Sequence, residues 1–148
     1  LGLMLLLSLN FWVFTISALS WFLYVFMYTP LKQQNNFAVF VGAIPGALPV
    51  LAGTTAAEES ITLFAFLLFS IQFLWQFPHF WALGWILHED YTKGGFKMLP
   101  TGSRDKKTAF QIVVYTIWTL VTAVIPAFGF TIPASAEPVF SFNLAVRR

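Results

Sequence analysis

The sequence has no cysteine, so it can build neither a disulfide framework nor a thiolate metal site. It also has little charge: eight Lys and Arg, six Asp and Glu, and two His among 148 residues. At 9% charged, against about 25% for an ordinary soluble domain, a water-soluble enzyme of this size could not cover its surface. A disordered chain needs far more charge than this, and so does a nucleic-acid-binding domain. The net charge of +2 is too small to suggest an acidic partner. No cationic segment precedes the first apolar run and no small-residue cleavage site follows it, so a signal peptide is not expected. The chain reads as a piece of a longer membrane protein.

What is abundant is apolar bulk. The chain is 58% hydrophobic, with 18 Phe, 6 Trp and 4 Tyr and a mean hydropathy of +0.76. The expected fold class is all-α, a polytopic transmembrane helix bundle. A spanning helix needs about 20 apolar residues. Residues 1–31 carry no charge and read as the tail of one helix (1–9), a turn at Asn10 and a span at 11–27. One long tilted helix is the alternative. Residues 28–36 form a polar loop with Pro30 as breaker. The next span, 37–53, is interrupted by Pro45, Gly46 and Pro49, and its small residues suit a helix packed inside a bundle. A short acidic loop (54–60) with Glu58 and Glu59 leads to a strong span at 61–87. Then come the large polar loop 88–107, a last span at 109–130, and a tail with no clear pattern. There is no internal repeat.

Charge placement orients the bundle. Eight of the fourteen charged residues fall within 88–107, and two spans separate that loop from Lys32. The loop between them holds two Glu and no Lys or Arg. The positive-inside rule places the basic loops in the cytoplasm or on the equivalent matrix side; a bacterial inner membrane is the expected location.

On a helix advancing about 100° per residue, Gln72, Gln76 and His79 fall within about 60° of one another. If the helix continues, Asp90 lies five turns beyond Gln72 on the same stripe. Such a stripe is either interhelical glue or the lining of an interior cavity. Trp75, Phe77, Phe80 and Trp81 beside it either face lipid or line a pocket for a flat or polyprenyl molecule. In the loop, Asp90, Lys93 and Lys97 surround Gly94 and Gly95. They suit either a solvated basic loop or an anionic head group bridged by Mg²⁺, which prefers oxygen ligands shared with phosphates.

Two stretches resemble a known family. Residues 73–100, FLWQFPHFWALGWILHEDYTKGGFKMLP, and residues 28–53, YTPLKQQNNFAVFVGAIPGALPVLAG, resemble the protohaem IX farnesyltransferases (haem O synthases), which are UbiA-type membrane prenyltransferases. The combination of WQ-PHF, DY and MLP with Tyr28-x-x-x-Lys32 is specific, and the likeness covers roughly residues 1–125. It implies a nine-helix bundle that transfers a farnesyl group from farnesyl diphosphate to protohaem (haem B), with Mg²⁺, in the lipid bilayer. A haem A synthase becomes a candidate partner. It implies catalytic roles for Asp90, Lys32 and Tyr28, with Asp90 as metal ligand. Lys32, Lys93 and Lys97 become diphosphate contacts, and His79, Gln76, Trp75 and Phe80 an acceptor pocket. The family's first acidic motif, N-x-x-x-D-x-x-x-D, is absent here and is expected before Leu1. Gln33 stands where the family usually has a base, and the sequence after about Phe130 departs from the family's closing helices. A fragment without the first acidic motif is expected to be inactive alone. Competing readings are a UbiA-type enzyme with a quinone or chlorophyll-precursor acceptor, and a transporter or assembly subunit. A transporter would show inverted repeats.

Overall fold

A computed structural model describes residues 10–129, and every regular element among them is helical. The chain is an all-α membrane-type protein. Four helices are long and apolar enough to cross a membrane: α1 (Phe11–Leu31), α2 (Ala38–Glu58), α3 (Leu63–Ile86) and α5 (Lys106–Gly129). A short α4 (His88–Lys93) lies between α3 and α5. The expected helix tail at 1–9 and the patternless segment 131–148 lie outside the described residues.

The helix ends follow from local chemistry. The Asn10 side chain accepts the Trp12 N–H at 2.8 Å and caps the start of α1. Pro30 was expected to end that span at 27, but α1 runs four residues further. Residues Leu23–Tyr28 widen into a π-helical turn, and the Thr29 N–H and hydroxyl both bond the Tyr24 carbonyl. The wider turn accommodates a proline ring that would crowd a regular α-helix.

α2 likewise runs through Pro45 and Pro49 without a break. Pro49 cannot donate to the Pro45 carbonyl, and the Ser20 hydroxyl of α1 donates to it instead, at 3.0 Å. Thr54 and Thr55 bond back to the carbonyls of Val50 and Leu51, which keeps them inside the helix rather than in the expected acidic loop. The helix closes at Glu59, with φ of 58°.

α3 starts on the Thr62 cap and stops at Ile86, where Leu87 leaves helical geometry. Asp90 therefore sits on a separate short helix and not over the α3 stripe. Asp105 accepts the Thr108 N–H at 2.7 Å and starts α5 three residues before its expected beginning.

α2 packs between α1 and α3, and α3 packs between α2 and α5. α2 is the inner helix: 50% of its most apolar window is buried, against 11% for α1 and 6% for α5. The core joins Val39 and Ala43 of α2 to Phe77 and Trp81 of α3, with Met98 folded in from the loop. Tyr115 of α5 meets the rings of Phe77 and Trp81 at 5.1 and 5.0 Å.

Candidate active site: a cavity joined to a basic mouth

The two polar loops meet at one end of the bundle. The Lys97 N–H donates to the Lys32 carbonyl at 3.5 Å, and the Lys97 ammonium donates to the Gln34 carbonyl at 3.3 Å. The Asn36 amide donates to the Pro100 carbonyl at 3.2 Å. The Lys32 ammonium lies over the Phe96 ring, 5.4 Å from its centre. Gly95 makes the turn that brings Phe96 back, at φ of 73°, where a side chain would be strained. Gly94 does not use positive φ; it caps α4. Met98 and Leu99 are buried against Gly84.

This end collects Lys32, Lys93, Lys97, Arg104, Lys106 and Lys107. Among the described residues none of these cations pairs with a carboxylate. Six cations against the carboxylates of Glu89, Asp90 and Asp105 leave this end net positive, which raises the local concentration of anions. Asp90 and Lys93 are exposed on α4. Among the described residues no three His, Asp or Glu side chains gather where they could hold a metal ion. The Asp105 carboxyl is held below its ordinary value chiefly by the Thr108 N–H.

Below the mouth lies a cavity of about 640 Å³ between α1 and α2, closed on one side by α3. That size falls in the range of small-molecule sites, about 300–1,000 Å³. Tyr28, Val39 and Met98 line its upper end, and Ser17, Pro49 and Ala52 its lower end. α2 seats two side chains in the wall on a Gly-x-x-x-Gly pair. The Tyr28 ring packs against Gly42, and a Cβ there would come within 2.7 Å of it. The Gln76 amide packs so closely on Gly46 that any side chain there would displace it. Gln76 is 6% exposed, lines the cavity and makes no hydrogen bond among the described residues.

Of the residues singled out from the sequence, Tyr28, Gln76 and Phe80 line this cavity. Lys32 and Lys97 do not line it, but each adjoins a lining residue: Lys32 follows Tyr28 by one turn and Lys97 precedes Met98. Trp75 and His79 do not line it. They stack on each other at 4.3 Å on the flank of α3, with Phe80 edge-on to the imidazole. The stripe is split because α2 covers only the side of α3 that carries Gln76, Phe77 and Phe80. Gly42, Gly46 and Phe96 went unnoticed in the sequence as site residues; the Gly-x-x-x-Gly spacing was the available signal.

The family model for the UbiA prenyltransferase family matches residues 1–147. The chain belongs to the UbiA prenyltransferase family. Its relatives include a protoheme IX farnesyltransferase of Christiangramia forsetii, 52% identical over 139 residues, covering 94% of this chain and 46% of the relative. Another is a protoheme IX farnesyltransferase of Flavobacterium psychrophilum, 58% identical over 114 residues, covering 77% of this chain and 38% of the relative. A third, from Flavobacterium johnsoniae, carries the same name and is 47% identical over 139 residues, covering 94% of this chain and 46% of the relative. The chain thus spans less than half the length of these curated relatives. No solved structure matches it. The chain is accordingly a multi-pass membrane protein of this family.

Proposed function

We propose that this chain forms part of a site that transfers a farnesyl group from farnesyl diphosphate to a vinyl group of protohaem IX. The C1–O bond of the farnesyl group breaks and its electron pair leaves on the diphosphate. The vinyl π electrons form the new C–C bond, and water adds a hydroxyl to the remaining cation and releases a proton, giving haem O. The carrying observation is an apolar cavity lined by Tyr28 and adjoined by a net-positive pair of loops, for the Lys32 N–H bonds the Tyr28 carbonyl and the Lys97 N–H bonds the Lys32 carbonyl.

Lys32, Lys93 and Lys97 supply charge-assisted contacts to the diphosphate. Lys97 spends one of its three donors on the Gln34 carbonyl and keeps the others. The face of Tyr28 stabilises the allylic cation as aromatic faces stabilise other cations. Gln76 and Phe80 meet the acceptor, with the Trp75–His79 stack as a second flat contact on the flank. Burial among aromatic residues excludes water until the C–C bond has formed.

A carboxylate can face a diphosphate only across a cation, which is the support for Asp90 as a Mg²⁺ ligand. Among the described residues no three carboxylate or imidazole groups gather, so a Mg²⁺ ion at Asp90 would need ligands from the diphosphate itself. The catalytic side is proposed to face the bacterial cytoplasm, with a haem A synthase as consumer of the product.

The test is kinetic, on the full-length protein in membranes. Haem O should form from farnesyl diphosphate and haem B, and not from a quinone precursor in place of haem. Lys32→Ala should raise KM for farnesyl diphosphate about tenfold or more while moving KM for haem far less. Equal shifts for both substrates would remove the phosphate role.

A further inference from the structure

The lower end of the cavity is not used by the chemistry above, and its shape assigns it a task. We infer that Ser17 and Ala52 set the length of prenyl chain that the site accepts; this rests on the prenyl-transfer reading.

The cavity follows α2 from Val39 to Ala52, about 20 Å of helix. α1 runs antiparallel beside it, so Tyr28 marks the mouth and Ser17 the depth. Along this path the wall is apolar: Trp21, Tyr24 and Leu48 offer carbon surface. The main polar liability is the Pro45 carbonyl freed by Pro49, and the Ser20 hydroxyl neutralises it. A hydrocarbon chain can therefore lie there without covering an unpaired backbone group. The unpartnered Gln76 amide faces the same space from the α3 wall, which marks it as a ligand space and not a packing defect.

The deepest lining residues include the small side chains of Ser17, Pro49 and Ala52. The diphosphate is anchored at the rim, so the chain's far end must reach whatever depth its length dictates. Side-chain size at Ser17 and Ala52 then decides whether a third isoprene unit fits.

The experiment compares geranyl, farnesyl and geranylgeranyl diphosphates, with haem B as acceptor, in the full-length membrane protein. Ala52→Phe and Ser17→Phe should each raise KM for farnesyl diphosphate at least about tenfold, since one isoprene unit loses its burial. KM for geranyl diphosphate should change less than about twofold, because two units stop short of the new ring. Ala52→Leu gives a milder shift in the same direction if the Phe variants fold poorly. Ala57→Phe, an exposed position on α2 outside the cavity, should leave both values unchanged. An unchanged farnesyl-to-geranyl ratio in active Ala52→Phe, Ala52→Leu and Ser17→Phe variants overturns the gauge and leaves the transfer reading intact. A wild type that transfers none of the three chains overturns both.

Discussion

Gln76 is the residue whose environment says most. A carboxamide 6% exposed with no hydrogen-bond partner among the described residues is costly to hold in a membrane-type core. It stands there because Gly46 offers it room. Gln76→Leu should therefore leave thermal stability unchanged or raise it, by up to about 1–3 kcal/mol. The same variant should raise KM for the acceptor, and a destabilised Gln76→Leu would show that the amide has a structural partner. Phe77 is the contrasting case. It is 1% exposed and touches rings from α2, α3 and α5. Phe77→Ala should cost about 3–5 kcal/mol, read as loss of folded protein in detergent. Gln76 was legible in the sequence from its spacing along one helix, whereas Tyr28 and Lys32, read as loop residues, were singled out only through the family resemblance. Gly42 and Gly46 were not legible as seats for Tyr28 and Gln76. A helical wheel shows which residues share a face but not which neighbour meets that face, so it could not show that the Trp75–His79 stack lies beside the cavity rather than in its lining.

At the scale of elements, the sequence set the number and order of the long helices through apolar run length, and it erred at their ends. Each error has a hydrogen-bond cause. Pro30 was read as a breaker, yet a π-helical turn absorbs it. Thr54 and Thr55 were read as loop, yet their hydroxyls bond back into α2. α5 begins early because Asp105 caps it, and this cap carries a pH dependence. The native carboxyl titrates below its ordinary value of 3.8, chiefly because the Thr108 N–H stabilises its charged form. A group whose folded pKa is depressed stabilises the fold above its unfolded pKa and loses that contribution as pH falls through the folded one. The first turn of α5 should therefore hold its amide protection above about pH 4 and lose it below. Hydrogen exchange at the Thr108 N–H measures this. Asp105→Asn keeps a capping acceptor without a titrating charge and should flatten the profile.

At the scale of the whole molecule, charge scarcity turns into charge placement. The loops carrying Lys32 and Lys97 are bonded to each other at one end, and Glu58 and Glu59 sit at the other end of α2. α1 and α5 present wide apolar outer faces, with Phe11 65% and Phe110 69% exposed, as lipid or further helices require. The proposed orientation, with the basic end toward the cytoplasm as the positive-inside rule favours, would let a soluble diphosphate reach that end directly. Residues 1–148 contain no cysteine, so single thiols introduced into this stretch test the orientation against a control that lacks the introduced cysteine. Ser60→Cys places one thiol at the acidic end and Ser103→Cys one at the basic end, and both positions are exposed. In intact cells a membrane-impermeant maleimide should label the first and not the second. Opening the membrane should make the second react as fully as the first. The reverse pattern would put the mouth on the outer side, away from the cytoplasmic pool of diphosphate substrates, and would break the link between the basic rim and the proposed transfer.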